Sequence, residues 1–485
     1  MNDLATAAPL SPAQLRHILM GLMLGVFLAA LDQTVVAVAL PTISQQLPGS
    51  GLLAWIMSGY MLALTVTTPI LGKLSDLFGR RRLLMLSIGL FVLASVLCGL
   101  AQSMQQLVGA RVLQGIGAGG MMAIIQALVG DLIAPAERGR YQAWFSGMFA
   151  LASLLGPSLG GFLSSQLSWR WVFWINLPLG AIAMWLCWNR LAGLVEIRRR
   201  ARIDYFGCAL LIIGLSSLLL LITELGEQPV QVEPSLAVTA LLALVGLSVF
   251  IWHQRRTTDP LIPPLLLRIA AIRSGWSLLF FANFQAIGLA VVVPLQLQGV
   301  GGMGESASQL MALAFGAPIG AYIGGRLSAH LARYKPPIIS GALLVPVALT
   351  LLAFVDPGSF FLRLPVLLLC GISLGLQFPT SLVAVQNAAP KSHLGVATGV
   401  CGLFRGFGGA VGAALLSSLL WHLLPSLALG QAAFNADDSG TVGLAFRHLL
   451  MIDAAIALIP LVIALRMEDR PLSLHQSKPA ESQAT

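Results

Sequence analysis

Residues 72–82 read GKLSDLFGRRR, and residues 325–335 read GRLSAHLARYK. The second stretch repeats the leading glycine, the small-residue spacing and the basic ending of the first, 253 positions later. At the same offset GPSLGG (156–161) falls on GAVGAA (409–414). Two coincidences at one offset point to two homologous halves. Ala329 stands where the first copy has Asp76, so the halves are not equivalent.

Working outward, the chain is apolar. Its 485 residues are 57% hydrophobic and 10% charged; the mean hydropathy is +0.86. A water-soluble domain cannot bury that much apolar surface, so a membrane protein is expected. Runs of spanning length fall at about 17–40, 52–72, 83–103, 107–129, 141–165, 171–190, 205–224, 236–252, 271–297, 309–329, 337–355, 364–387, 395–420 and 444–466. The expected fold is all-α and integral to the membrane, with fourteen transmembrane helices. Helices 1–6 (residues 1–192) and 9–14 (269–467) form two six-helix pseudo-symmetric bundles. A linker and inserted helices 7 and 8 occupy 193–268, and 468–485 is expected to be a disordered cytoplasmic tail. The first run has no small-residue cleavage site after it and reads as a retained helix.

The loops orient the spans. One alternating set carries Arg16, Arg80–Arg82, Arg138, Arg140, the arginines of 198–202, Arg255, Arg256, Arg333, Lys335, Lys391 and Arg470. The other set (SQQLPGS, AQSMQQ, GEQPVQVEPS, GVGGMGES and the stretch around Asp437 and Asp438) carries none, with Arg170 and Arg363 as exceptions. The basic loops are expected on the cytoplasmic side, with both termini there. The net charge of +9 therefore reads as topology, not nucleic-acid binding. The five cysteines lie in apolar runs without CxxC spacing, so packing is expected and no metal site.

Asp32, in LDQTVVAVALP (31–41), lies well inside the first run, where a charged Asp costs about 2.5–3.5 kcal/mol on insertion scales. Counted from the cytoplasmic ends of helices 1 and 4, Asp32 and Arg111 both lie about 24–28 Å deep at ~1.5 Å per residue. A guanidinium that approaches or leaves Asp32 alters its proton affinity, the physical requirement of a coupling site. A fixed ion pair that specifies helix packing is the alternative. Arg111, Gln114, Gly115, Ala118 and Met122 form one stripe of helix 4. Gln114, Gln126, Asn283 and Gln285 are candidates to face a cavity, since amides facing lipid are costly. Tyr60, Phe149, Phe281 and Phe284 are candidates for a greasy ligand pocket or for interface anchors. Arg405 and Asp453, about 16 and 20 Å from the cytoplasmic side, read as a structural pair, with a second coupling site as alternative.

GKLSDLFGRRR resembles the loop signature of the major facilitator superfamily. LDQTVVAVALP, RVLQGIGAGG (111–120), GPSLGG and WRWVFWINLPLG (169–180) are similar to its fourteen-span drug:proton antiporter branch. The resemblance is weaker in the second half, mainly at FRGFGGAVGAAL (404–415), and Ala37 stands where relatives often carry Asn. It implies a cytoplasmic gate built from Gly72, Asp76, Gly79, Arg80 and Asp131. Asp76 would cap helix 13 near His393, and Arg80 would meet Asp131. It associates Gly156, Pro157, Gly160 and Gly161 with antiporters, their glycine face packing on helix 10 at GAPIGAYIGG (316–325). RRRARIDYFG (198–207) resembles the linker into the inserted pair.

The expected function is proton-coupled efflux of lipophilic or cationic small molecules across the inner (cytoplasmic) membrane by alternating access. A proton-coupled exporter of one metabolite or siderophore is the alternative. A membrane enzyme or receptor is disfavoured: HExxH and a GxxxxGK[ST] phosphate loop are absent from the sequence. No catalytic residue, metal or cofactor is expected, the energy source being the proton gradient. Protons and membrane lipids are the other expected partners, with no nucleic acid. A monomer is expected, with a periplasmic adaptor compatible.

Overall fold

In lipid, every backbone polar group needs an internal partner, so apolar runs of this length must be helical. The computed structural model describes residues 12–190, 203–226, 234–298, 303–356, 359–424 and 439–472. Among them it has 14 helices long and apolar enough to cross a membrane and no strand. They are α1 (Pro12–Gln46), α2 (Leu53–Phe78), α3 (Arg80–Leu100), α4 (Met104–Leu132), α5 (Pro135–Gln166) and α6 (Trp171–Trp188). The inserted pair is α7 (Tyr205–Gly226) and α8 (Pro234–Gln254). Then follow α9 (Ala270–Gln298), α10 (Met303–Leu331), α11 (Lys335–Phe354), α12 (Phe360–Ala388), α13 (Leu394–Leu423) and α14 (Val442–Arg466).

Local sequence sets the breaks. Gly79, at φ 98°, turns the chain between α2 and α3 in a conformation that costs a side-chain-bearing residue strain. Ser103 caps α4 by accepting the Gln106 amide, and Pro135 opens α5. Helix α1 runs past the expected stop, with Pro41 inside it. A proline forfeits only one backbone donor there, and the Ser44 hydroxyl donates to the Pro41 carbonyl at 2.8 Å.

The duplication is visible in the packing. In the first bundle α2 packs on α4, α1 on α5, α3 on α4, and α6 on α1 and α3. In the second, α10 packs on α12, α9 on α13, α11 on α12, and α14 on α9 and α11. Each helix has its counterpart eight helices later. The two bundles meet through α2 on α13 and α5 on α10, which are equivalent seams. Helices α7 and α8 pack on each other, and α7 lies over α2 and α13. There Leu211, Leu215, Leu219 and Phe250 bury against Val66 and Ile70.

Asp204 anchors the inserted pair. It caps α7 by accepting the Gly207 amide at 2.8 Å, and it holds His253 and Gln254 of α8 at 2.7 Å each. The two exceptions to the loop-charge pattern are also held by local bonds. Arg170 donates to the Ala101 carbonyl at 3.3 Å, and Arg363, fully buried, donates to Gln296 at 2.8 Å.

Residues 468–472 are docked, unlike the disordered tail expected from 468 onward. The Tyr334 hydroxyl donates to the Glu468 carbonyl at 2.7 Å, and the Leu472 amide to the Ala332 carbonyl at 2.8 Å. The arginine run 198–202, the loop residues 227–233 and 299–302, the stretch around Asp437 and Asp438, and the tail beyond 472 lie outside the described residues.

Candidate functional site

A buried carboxylate forms the centre of the first bundle. Asp32 of α1 is 1% exposed and Arg111 of α4 is 0% exposed. The Arg111 Nη1 lies 2.5 Å from Asp32 Oδ2. Gln114, one turn on along α4, donates to Asp32 Oδ1 at 2.8 Å, and Asn176 of α6 donates to the same oxygen at 2.8 Å. The Ser95 hydroxyl of α3 accepts from Gln114 at 2.8 Å and from Asn176 at 3.3 Å. The carboxylate thus joins α1 to α4 and α6, and through the two amides the network reaches α3.

The arginine is held from its other sides. Its Nε donates to the Ile56 carbonyl at 3.2 Å, and Nη1 also donates to Gln114 at 2.7 Å. The Tyr60 ring lies 4.1 Å from the guanidinium carbon, a cation–π contact in a desolvated site. Nη2 is buried without a hydrogen-bond partner. The cluster is sealed from water in this conformation, and both N–H donors of Arg111 Nη2 are unspent.

Sequence reasoning singled out Asp32, Arg111 and Gln114; it missed Asn176 and Ser95. Asn176 carried a readable signal, an amide inside the apolar stretch WINLPLG. Ser95 carried none, because a helical serine also satisfies itself on its own backbone, here at Phe91 O. Ala37 is exposed on α1, so the polar support of Asp32 comes from α4 and α6 instead.

The second constellation ties the bundles at the end carrying the basic loops. Asp76 Oδ1 and Oδ2 accept the Gly395 and Val396 amides, each at 3.0 Å. These are orphan donors at the N-terminus of α13, where the helix dipole favours an anion. Arg80 bridges Asp76 at 2.7 Å and Asp131 at 2.9 Å. Gly72 permits the approach, since a Cβ there would collide with the Gly395 carbonyl. Gly139 of α5 meets Gly325 of α10 in the same way. Gln386 of α12 donates to the Gln126 carbonyl at 2.9 Å.

Several expected placements differ. Gly156 and Gly160 pack on Thr34 and Val35 of α1, not on α10. Gly161 has open space before it, and Pro157 is exposed. The α5–α10 contact lies one bundle end away, at Gly139, because α5 follows α1 at the GPSLGG level; Thr34 donates to the Ala152 carbonyl there at 3.0 Å. Tyr60 and Phe284 are buried at 0% and 2% exposure, so they are packing residues here, not cavity walls. Phe281 stands edge-on to Phe280. Asn283 donates to the Arg405 carbonyl at 2.7 Å. Gln285 points elsewhere, as two residues turn a helix by about 200°; it is fully buried, with neither amide atom bonded. Gln126 accepts from Gln142 at 2.6 Å.

Arg405 and Asp453 are not paired. Both Asp453 oxygens are buried without a hydrogen-bond partner. Asp453 lies beside Cys370 of α12, and its neighbours Leu450 and Ala454 belong to the apolar core shared with α9, α10, α11 and α12. Arg405 faces the other way, its guanidinium 5.9 Å from the Phe149 ring of α5 and 5.3 Å from the Phe378 ring of α12.

Residues 22–413 match the family model of the Major Facilitator Superfamily. The chain belongs to the major facilitator superfamily. It is 33% identical over 403 residues to the multidrug transporter protein MdtP of Bacillus subtilis (strain 168), covering 82% of this chain and 74% of that protein. It is 29% identical over 412 residues to multidrug resistance protein 3 of the same organism, covering 84% of this chain and 80% of that one. The superfamily's proton:xylose symporter XylE superimposes with a TM-score of 0.64 over 95% of this chain and 98% of its own, at 15% identity. That likeness concerns the fold alone. Among the described residues no group of His, Cys, Asp and Glu has the arrangement to hold a metal ion.

Proposed function

We propose that this superfamily member is a proton-coupled exporter of lipophilic small molecules. It works by alternating access between the two bundles, across the cytoplasmic membrane, with the basic loops and both termini cytoplasmic. The observation that carries the reading is the sealed Asp32–Arg111–Gln114–Asn176 cluster. Two relatives named as multidrug proteins support the substrate class. The gate contacts of Asp76 and Arg80 hold the cytoplasmic end shut.

Asp32 is the one acid in the cluster, and Arg111, Gln114 and Asn176 all donate to it. A proton on Asp32 competes with these donors for the same two oxygens. Its arrival removes the charge that holds Arg111, whose Nη2 already lacks a partner. Arg111 then shifts toward Ile56 and Tyr60, and α1 is released from α4. Proton entry from outside thereby returns the empty carrier to its inward-facing form, and proton loss to the cytoplasm resets it.

The test is an imposed pH gradient in inside-out vesicles. A lipophilic compound carried by the protein draws protons out of the acidic lumen, and Asp32→Asn abolishes that movement at matched expression. If a panel of lipophilic dyes of both charge signs leaves the gradient untouched in the parent, proton-coupled efflux is contradicted.

A further inference from the structure

Arg405 stands in the seam between the bundles. It lies 11 residues into α13, roughly 16 Å from the basic end at ~1.5 Å per residue, near the middle of a ~30 Å hydrocarbon layer. The next residue, Gly406, has Thr65 of α2 against it. The guanidinium contacts one aromatic ring from each bundle, Phe149 and Phe378. Asn283 fixes the backbone at this point by donating to the Arg405 carbonyl.

This cation has not been neutralised. No carboxylate of the described residues lies within ion-pair distance of it; Asp32 is committed to Arg111 and Asp453 lies beside Cys370 of α12. Its Nε is buried without a hydrogen-bond partner. Rings on two sides attract a cation but accept no hydrogen bond of ordinary strength, so the donors of the planar fork remain unspent. The residue as a whole is half-buried, not sealed.

A planar fork with free donors, at membrane mid-depth and flanked by phenyl rings, fits an anionic head group on an aromatic body. A carboxylate or sulfonate accepts two parallel N–H bonds from it, while the rings take the flat apolar part. A lipophilic cation at the same place meets an uncompensated positive charge.

We infer that Arg405 is a substrate-binding residue and that the exported compounds are aromatic anions, a narrower class than the lipophilic or cationic compounds expected from the sequence. The inference rests on the efflux reading and names its substrate class. Its central observation is an unpaired arginine between rings of opposite bundles.

The test uses a matched pair of permanently charged probes, naphthalene-2-sulfonate and N,N,N-trimethyl-2-naphthylammonium. Gradient-driven uptake into inside-out vesicles is measured for the parent, Arg405→Lys and Arg405→Gln. The parent is expected to accumulate the sulfonate in preference to the ammonium. Loss of a charge-assisted bond in Arg405→Gln lowers sulfonate uptake about tenfold or more and relieves the exclusion of the ammonium. Arg405→Lys keeps the charge preference and loses part of the affinity, because an ammonium lacks the fork. Equal ammonium uptake by parent and Arg405→Gln, with no sulfonate movement, overturns the assignment and leaves efflux standing. Movement of neither probe in the parent overturns the assignment together with the efflux reading.

Discussion

Arg111 Nη1 lies 2.5 Å from Asp32 Oδ2, with both side chains shut off from solvent. Removing one partner of such a pair strands the other charge, which costs about 3–5 kcal/mol. Arg111→Leu is therefore expected to lower the melting temperature of the purified protein sharply. The double variant Asp32→Asn, Arg111→Leu recovers most of that loss, because the stranded carboxylate is gone. Thermal unfolding in detergent reads the cycle, and a double variant as unstable as Arg111→Leu contradicts a true ion pair.

Asp76 accepts two amides at the start of α13. Hydrogen bonds to a charged group contribute about 1.5–3 kcal/mol each, so losing even one shifts a two-state equilibrium about tenfold or more. Asp76→Ala is expected to open the basic end. Spin labels at Arg82→Cys and His330→Cys, on α3 and α10, then show a longer distance population. An unchanged distribution removes Asp76 from the gate.

Asp204 holds the inserted pair to itself. Burial disfavours its charged form, but hydrogen bonds from the Gly207 amide, His253 and Gln254 outweigh that, leaving its pKa below the ordinary carboxylate value. A depressed acid contributes stability above its unfolded pKa of about 3.9 and loses it as pH falls through the folded value. Asp204→Ala is thus expected to destabilise α7 and α8 at neutral pH, by about 0.5–2 kcal/mol from the lost cap alone. Amide exchange in 205–226 should speed up at pH 7, and the difference from the parent should shrink only at strongly acid pH.

Asp453 has no partner for either oxygen, so Asp453→Asn removes no ion pair. The melting temperature and the gradient-driven uptake are expected to match the parent. A large loss of uptake with the fold intact shows that Asp453 takes part in the proton pathway.

The sequence was most informative where hydropathy and charge speak over whole spans. All fourteen runs became helices, most with at least one end further out, because polar residues such as Arg80 and Gln166 extend helices beyond the apolar run. Asp32 and Arg111 were legible because each is expensive in lipid and counting placed both at one depth. Depth does not give azimuth, and that is where the reading failed. Arg405 and Asp453 lie at similar depth on faces turned apart. Gln285 was grouped with Asn283 although two residues on a helix point to different sides. GPSLGG showed a close-packing surface without saying which helix fills it, and α1 does. Asp204 is legible as an acid just before an apolar run, a helix-start signal, although the run of arginines beside it is the stronger charge feature of that stretch.

The central claim is that Asp32 carries the exchanged proton. The measurement that tests it most directly compares two assays on one variant, Asp32→Asn, reconstituted in vesicles. Substrate-for-substrate exchange needs no proton step, whereas accumulation against a concentration gradient does. The account predicts that exchange persists in Asp32→Asn while pH-driven accumulation falls to equilibration. Accumulation at the parent level in the variant contradicts it.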